Sequence, residues 1–530
     1  MKIEVQKLNL NDIDLTLSSR FEEGFLSLKD LPSPSLFKDM TKAVKRIALA
    51  LKRDEKIVII GDYDVDGVIS TTIFKSFFDS IGASVDWLVP NRFNDGYGLS
   101  VNIIPRIKEY DLAITVDNGI SSVEASMLCR ELDIELIITD HHLVGQTLPL
   151  AYAIVNPKQP DCPFPYSDIC GAQVIWYLMN ALKNELGLHV DMREYLGLVT
   201  IAIIADMMPL KHINRAMVIY GLKELFNSTR PAILVFKENI KKSSFNADDI
   251  GFFIAPILNS AGRLQDASVA IEFLLSQNIS VAREKFSYVS ELNSQRKNIE
   301  QELTSQALLM ANPEDSVLLI NGNGWHEGVI GIVCARVSRE FRKPCIILTD
   351  SHENGVLKGS GRSFSQCDLH RLTSRCKEHL LKFGGHKSAI GLSLKKENLE
   401  SLRLALLLSH QEEESVSEPI VDDILGEISL EMIDFRLIQL LKIYEPYGMS
   451  NSRAKFITRG VMIEEIRVMG KDGEHRKFTF RKENINQVGV LFRSFTQYDK
   501  GSCVDVIYTL SENFFNGKTT IQMMIEEILL

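Results

Sequence analysis

The front of the chain alternates between short β-rich runs and longer stretches of helical periodicity. Helical spacing over 39–53 leads into Ile57-Val58-Ile59-Ile60, and helical spacing over 68–81 leads into a run at 84–89. A helix at 100–109 precedes Leu112–Val116, and another at 121–132 precedes Glu135–Thr139. Short runs separated by helices predict βαβ units and a parallel sheet, because a parallel crossover needs a helix-length connection. From 170 to 240 the pattern is mostly helical. Residues 280–311 contain no glycine or proline and predict one long polar helix that connects domains. Strand–helix alternation resumes at 316–320, 328–342 and 344–349, and beyond 455 short β-like runs with turn signals predict a small barrel. Residues 1–40 read as irregular, with a Pro-Ser cluster at 32–35, and no internal repeat is found.

A chain of 530 residues is too long for one core and calls for three or four domains. The patterning divides it into an N-terminal segment 1–40, a parallel-sheet domain 41–279, a connecting helix 280–312, a smaller α/β domain 313–410, an acidic linker 411–423 (QEEESVSEPIVDD) and a β-barrel domain 424–530. With 45% apolar and 24% charged residues, the composition excludes a largely disordered chain, a collagen-like chain and a small disulfide scaffold. The eight cysteines form no CxxC pair and are expected to be buried free thiols in a reducing cytosol. The N-terminus lacks the uninterrupted apolar core of a signal peptide. The longest apolar stretch, Tyr195–Ala205, is far short of the ~20 residues of a membrane span. A cytoplasmic monomer with no membrane association is expected.

Charge alters this picture only once it is divided. The formal −10 argues against a protein that holds a polyanion by bulk charge. Yet residues 1–315 carry −10, 316–400 carry +5, 401–440 carry −7 and 441–530 carry +2. A basic middle and a mildly basic tail stand apart from an acidic front.

The acidic front concentrates its chemistry at strand ends. The first predicted strand runs into Asp62, Asp64 and Asp66, the third into Asp117, and the fourth into Asp140, His141 and His142. In an open parallel sheet the carboxyl ends of the strands form the ligand crevice. Asp206 closes an apolar helix in Ile204-Ala205-Asp206-Met207-Met208-Pro209-Leu210. So many carboxylates cannot share a crevice as bare anions, and divalent cations resolve the repulsion. Hard oxygens with one or two imidazoles suit Mn²⁺ best, with Mg²⁺ as the alternative. Two such ions about 4 Å apart suit hydrolysis of a phosphate ester by in-line attack of water. An EF-hand is excluded, because Ile73 stands where the twelfth-position Glu would be.

The basic middle holds a second constellation: Asn323–Gly328 with Trp325, His326 and Glu327, then Lys358-Gly359-Ser360-Gly361-Arg362-Ser363, then Phe383-Gly384-Gly385-His386-Lys387-Ser388. Read as glycine loops, these would bring backbone N–H groups close to phosphates, with Ser, Arg, Lys and His as further donors. Arg263, in Asn259-Ser260-Ala261-Gly262-Arg263, could add another guanidinium. Arg92 and Tyr97 in the front domain could clamp a phosphate and stack a base. Gly517-Lys518-Thr519-Thr520 is not a P-loop, since Glu512 occupies the first glycine position, and no zincin or GxSxG motif is present.

In combination, GDYDVDG (61–67), RFNDGYG (92–98), VDNG (116–119), TDHH (139–142), IADMMPL (204–210), LNSAGRL (258–264), GWHEGVIGIVCAR (324–336), KGSGRS (358–363) and FGGHKSAIG (383–391) resemble the DHH phosphoesterase superfamily. Within it, the resemblance is to the bacterial exonucleases that degrade single-stranded DNA 5′→3′ in repair and recombination. It implies an α/β multidomain fold: a parallel-sheet DHH domain, a long connecting helix, a smaller α/β DHH-associated domain and a C-terminal OB-like barrel that binds the 3′-ward strand. It further implies Asp64, Asp66, Asp117, His141 and Asp206 as ligands of two Mn²⁺, with Asp62, Asp140 and His142 supporting them or contacting the scissile phosphate. Arg92, Ser360 and Arg362 would grip the 5′ end, Tyr97 would stack near it, and Arg263, His326 and His386 would complete the substrate contacts. Single-stranded DNA, a single-strand-binding protein and a RecQ-type helicase are the implied partners. An oligoribonuclease or nucleotide phosphatase of the same superfamily is the alternative, although those relatives resemble only the first two domains. Two departures stand out: Ile203-Ile204 before Ala205-Asp206, and Ser450 in place of glycine in Pro446–Asn451, which puts the start of the tail domain in question.

Overall fold

The computed structural model describes residues 5–351, 353–365, 367–414, 424–470, 473–494, 496–515 and 517–529. Three sheets organise it. The first contains β1 (Ile57–Ile60), β2 (Asp86–Leu88), β3 (Leu112–Val116), β4 (Glu135–Thr139) and β5 (Ala153–Val155), ordered β2-β1-β3-β4-β5 and parallel throughout. Side chains alternate across it as the strand period requires. Ile57 and Ile59 face a core shared with helices 40–52, 65–80 and 171–185, while Val58 and Ile60 face a core that includes Ile103, Ile107 and Cys129. With both faces covered, the carboxyl edge is left as the open rim.

The helix expected at 100–109 is shorter. A 3₁₀ turn at Val101–Ile103 runs into Ile104–Ile107, with Pro105 in its first turn. Proline fits there because the first-turn N–H groups have no intrahelical partner. The long helix runs Ile279–Met310 and packs on Ala255–Leu264 and on Glu327–Phe341, so it touches both α/β domains. Its buried Glu300 pairs with Arg296 of the same helix and with Arg336 of the second domain.

The second sheet comprises β6 (Leu318–Gly322), β7 (Cys345–Asp350), β8 (Val356–Arg362), β9 (Lys382–His386) and β10 (Ala389–Lys395), ordered β6-β7-β8-β10-β9. Only β6 and β7 pair in parallel. This corrects the reading of 358–363 and 383–388 as loops, since Lys358–Arg362 lie on β8 and Phe383–His386 on β9. The glycines there make room inside a sheet. A Cβ on Gly359 would come within 2.4 Å of Leu348, and one on Gly361 within 2.6 Å of Ile390.

The third sheet comprises β11 (Ile424–Glu427), β12 (Lys455–Met469), β13 (His475–Lys482), β14 (Ile485–Leu491), β15 (Cys503–Phe515) and β16 (Lys518–Leu529), ordered β11-β12-β13-β14-β16-β15. Pairing of β12 with β15 closes five of these strands into a barrel, with β11 on its edge. Residues 415–423, most of the expected acidic linker, lie outside the described residues, and the helix before them extends from Leu399 to Glu414.

The N-terminal segment is not irregular. Leu10–Ser18 is a helix capped by Asn9, and its Ile13 and Leu17 are buried in the barrel core with Leu437, Phe456 and Tyr508. Leu8 N–H donates to the Glu427 carbonyl and Tyr444 Oη to the Asp14 carbonyl. Further along, Phe21 and Phe25 lie against the guanidinium of Arg215, which donates to the carbonyls of Ile443 and Glu445. Residues 5–25 thus strap the barrel to the first domain.

Ser450 sits at φ +58°, the left-handed region that glycine would take without strain. The turn is held nonetheless by buried Asn451, which donates to the carbonyls of Tyr444 and Pro446. Ile203 is buried in the first core and Ile204 packs at its margin, leaving Asp206 as the C-cap of the helix. None of the eight cysteines is in a disulfide; Cys503 is exposed and Cys162 and Cys367 are half-buried, against the expectation of burial. Among the described residues no helix is long and apolar enough to cross a membrane.

Candidate metal centre and substrate groove

The acidic groups converge because parallel strands end on one edge. After β1, Asp64 caps the helix Val65–Ser80, accepting from the N–H groups of Asp66 and Gly67 at 2.9 and 3.2 Å. Asp66, in the first turn, accepts from Gly171 and Ala172 N–H at 2.6 and 2.8 Å. Those donors are the free first-turn amides of helix Gly171–Glu185, a natural anion site. Asp117 follows β3 at φ +64°. A Cβ on Gly171 would lie 2.5 Å from its Oδ1, so only glycine lets that helix approach. Asp140, after β4, accepts from Ile120, His141 and His142 N–H and pairs with His142 Nδ1 at 2.7 Å.

His141 joins these elements. Its Nε2 is 3.1 Å from Asp117, 3.6 Å from Asp206 and 3.7 Å from Asp66. Three groups have ligand atoms within 4.8 Å of one another: Asp66, His141 and Asp206; Asp117, His141 and His142; Asp62, Asp64 and Asp117. Asp117 and His141 each belong to two groups, which links the positions.

Electrostatics explains what such a site requires. Burial, then the charge of Asp64, pushes Asp62 well above the usual carboxylate range and Asp66 up to about 6. Burial, then Asp66 and Asp64, drives Asp117 well up and Asp206 to about 8. Burial, then the neighbouring His142, pushes His141 down to about 3. Burial opposes the charged His142 too, but its bond to Asp140 prevails and raises it to about 9, while Asp140 is held below its usual range. Both Asp62 oxygens, Asp117 Oδ1, Asp206 Oδ2 and His141 Nδ1 are buried without a hydrogen-bond partner. Neutral imidazole and crowded, unsatisfied carboxylate oxygens are the donor set of Mn²⁺ or Mg²⁺, so the residues fit divalent cations.

A groove of about 700 Å³ adjoins this crevice, between the first two domains. Tyr63, Arg92, Tyr97 and Arg263 line one wall, and Glu327, Gly331, Lys358, Ser360, Arg362 and Phe383 are on the other. Tyr97 links groove to crevice, its Oη 3.5 Å from both His142 Nε2 and the Asp117 carbonyl. Arg362 donates to Ser360 Oγ and the Gly361 carbonyl, and Lys358 pairs with Glu327. Arg263 donates to the Gly328 carbonyl. His326 and His386 are not on the groove wall. His326 Nδ1 caps the helix Glu327–Phe341 and its ring meets Phe93 edge-on, while His386 lies exposed on β9. Sequence reasoning missed Gly171, whose signal was its place at the start of an apolar helix. It also gave no role to Asn118, whose amide ties the Leu99 N–H to the Ile60 and Val116 carbonyls.

A parallel sheet with this carboxylate–imidazole crevice at its carboxyl edge, closed by a basic second domain, is the arrangement of the DHH family. Family models agree: the DHH family, N-terminal domain, matches residues 56–203, the DHHA1 domain 314–408 and the RecJ OB domain 424–527. The chain is 34% identical over 522 residues to the "Single-stranded-DNA-specific exonuclease RecJ" of Bacillus subtilis, covering 95% of this chain and 65% of that protein. It is also 34% identical over 522 residues to the Escherichia coli protein of the same name, covering 92% of this chain and 89% of that one. The crystal structure of RecJ from Thermus thermophilus in complex with Mn²⁺ superposes with a TM-score of 0.79 at 27% identity, over 93% of this chain and 72% of that one. The Mg²⁺ complex of the same protein gives 0.75 at 26% identity, over 93% and 70%. The chain belongs to the RecJ family, and it spans just under two-thirds of the length of the Bacillus relative.

Proposed function

We propose that this chain is a divalent-metal-dependent exonuclease that hydrolyses single-stranded DNA from the 5′ end to mononucleotides. The observation that carries this reading is the junction at Tyr97 between the buried acid–histidine crevice and the groove bearing Arg92, Ser360 and Arg362. Asp64, Asp66, Asp117, His141 and Asp206 are assigned as ligands. Bound Mn²⁺ or Mg²⁺ would supply a Lewis acid that polarises the phosphodiester and lowers the pKa of the attacking water.

The chain's own residues orient and hold the substrate. Asp140 fixes the His142 ring through Nδ1, which leaves Nε2 as the atom that reaches the phosphate. Asp62 supports the metal turn. Arg92, Ser360 and Arg362 hold the terminal phosphate by charge-assisted hydrogen bonds, and Tyr97 stacks the first base. Arg263, His326 and His386 contact the strand beyond. Selectivity for single strands follows from a groove between two domains that is too narrow for a duplex, and the barrel grips the 3′-ward strand. Participation in repair and recombination and work with a single-strand-binding protein and a RecQ-type helicase follow from the family resemblance, and cytoplasmic location and action as a monomer from the sequence reading.

The test compares Mn²⁺-dependent turnover of a long 5′-labelled single strand with that of a dinucleotide. Release of 5′-terminal mononucleotides from the long strand is expected, with the dinucleotide a poor substrate. Preference for the dinucleotide would favour an oligoribonuclease-like or phosphatase-like activity instead.

A further inference from the structure

Tyr63 stands between two acids of the metal turn, yet its side chain lies on the groove wall. The Arg92 guanidinium stacks on its ring, with Cζ 4.2 Å from the ring centroid. Tyr97 meets the same ring edge-on at 5.8 Å between centroids. From behind, the helix carrying Arg263 presses on Tyr63: a Cβ on Gly262 would lie 2.1 Å from the Tyr63 carbonyl oxygen and 3.2 Å from its Cβ. Two side chains of the groove are therefore arranged around the ring of Tyr63, whose backbone is held from behind.

Arg92 forms no ion pair among the described residues, and its Nε is buried without a hydrogen-bond partner. A long guanidinium side chain in that position would sample many rotamers unless a surface holds it. A flat aromatic face is such a surface: it attracts the cation and leaves the in-plane N–H fork directed outward to an anion. The ring also fixes Arg92 relative to the metal turn, because Asp62 and Asp64 flank it on the same backbone.

We propose that Tyr63 is a positioning residue: its ring platform sets Arg92 and Tyr97 at a fixed distance from the metal turn and thereby sets the preference for a 5′-phosphorylated terminus. This inference rests on the functional reading above and deepens it. The ring face carries the larger part of the role, and the hydroxyl, hydrogen-bonded to Arg92, the smaller part.

The experiment compares Tyr63→Leu, Tyr63→Phe, Arg92→Ala and the Tyr63→Leu/Arg92→Ala double variant on 5′-phosphorylated and 5′-hydroxyl single strands. Tyr63→Leu should raise KM for the phosphorylated strand about tenfold, with a smaller change in kcat, and shrink the preference over the hydroxyl strand. Tyr63→Phe should restore most of that preference. The double variant should be no worse than Arg92→Ala alone, since both remove one function. Mn²⁺ affinity of Tyr63→Leu, measured by calorimetry, should match the parent. Equal loss on both termini, additive losses in the double variant, or weakened Mn²⁺ binding would overturn the platform role and leave Tyr63 a spacer of the metal turn. Metal-free binding of the two strands by anisotropy gives an independent readout. If the parent protein binds the phosphorylated strand preferentially but does not cleave it, the exonuclease reading fails while the platform is still judged by the same variants.

Discussion

The crevice and the groove hold charge in opposite ways. In the crevice, Asp62, Asp66, Asp117 and Asp140 are at most 2% exposed, and only Asp66 and Asp140 have their oxygens satisfied by backbone N–H groups. In the groove, Arg92, Lys358 and Arg362 are half-buried, and Lys358 and Arg362 are bonded to neighbours on their own wall. The first arrangement is incomplete as protein alone and demands cations. The second is complete except at the Arg92 Nε and awaits an anion. Folding tolerates the crevice because the surrounding cores over-determine it, and that is how strain persists at functional sites.

The comparison predicts a hierarchy of losses. Asp117→Ala should reduce turnover on the order of 10³-fold at saturating Mn²⁺. Its metal-free melting temperature should stay level or rise, because a buried, unsatisfied carboxylate is removed. Single-turnover assays and melting curves check both, and retention of substantial activity would break the metal assignment. Asp140→Asn leaves the ligands intact but loosens His142, so kcat should fall about 10- to 100-fold with little change in Mn²⁺ affinity. A larger fall in affinity than in kcat would place Asp140 among the ligands. In the groove, Arg362→Glu should raise KM about 30-fold, with binding that depends on salt modestly and locally. Lys52→Glu, on an exposed helix end, should change KM less than about twofold. Equal effects would show that the groove lies elsewhere. The smallest catalytic effect is expected from Arg215→Ala: hydrolysis of short strands is kept, but melting falls about 5 °C as the strap loosens. Unchanged melting would mean that the strap does not tie the domains.

The crevice was legible in the sequence because its signals are local: a β-rich run followed by aspartate, repeated at βαβ spacing. β3 and β4 have the boundaries that their apolar patterns suggest. The groove was legible in its residue types but not in its architecture. Lys358–Arg362 and Phe383–His386 are glycine-rich and suggest turns, yet they are strands in which glycine fits beneath Leu348 and Ile390. That requirement comes from neighbouring strands and leaves no trace in the local pattern. The helix Leu10–Ser18 was missed for a related reason. It has nine residues and buries only Ile13 and Leu17, too little for a periodic signal, and most of the core they join lies beyond residue 427. Cys503 also escaped, since a strand side chain alternates between core and solvent.

The strap has a consequence for how the molecule is made. The helix Leu10–Ser18 leaves the ribosome well before its docking site on the barrel, which is completed only by β15 and β16. At about 5–20 residues per second, Ile13 and Leu17 wait on the order of 25–100 s for their partners. Both α/β domains can form in that interval. Barrel closure and capture of this helix then follow the folding of both α/β domains, and the waiting helix gives a chaperone its longest opportunity.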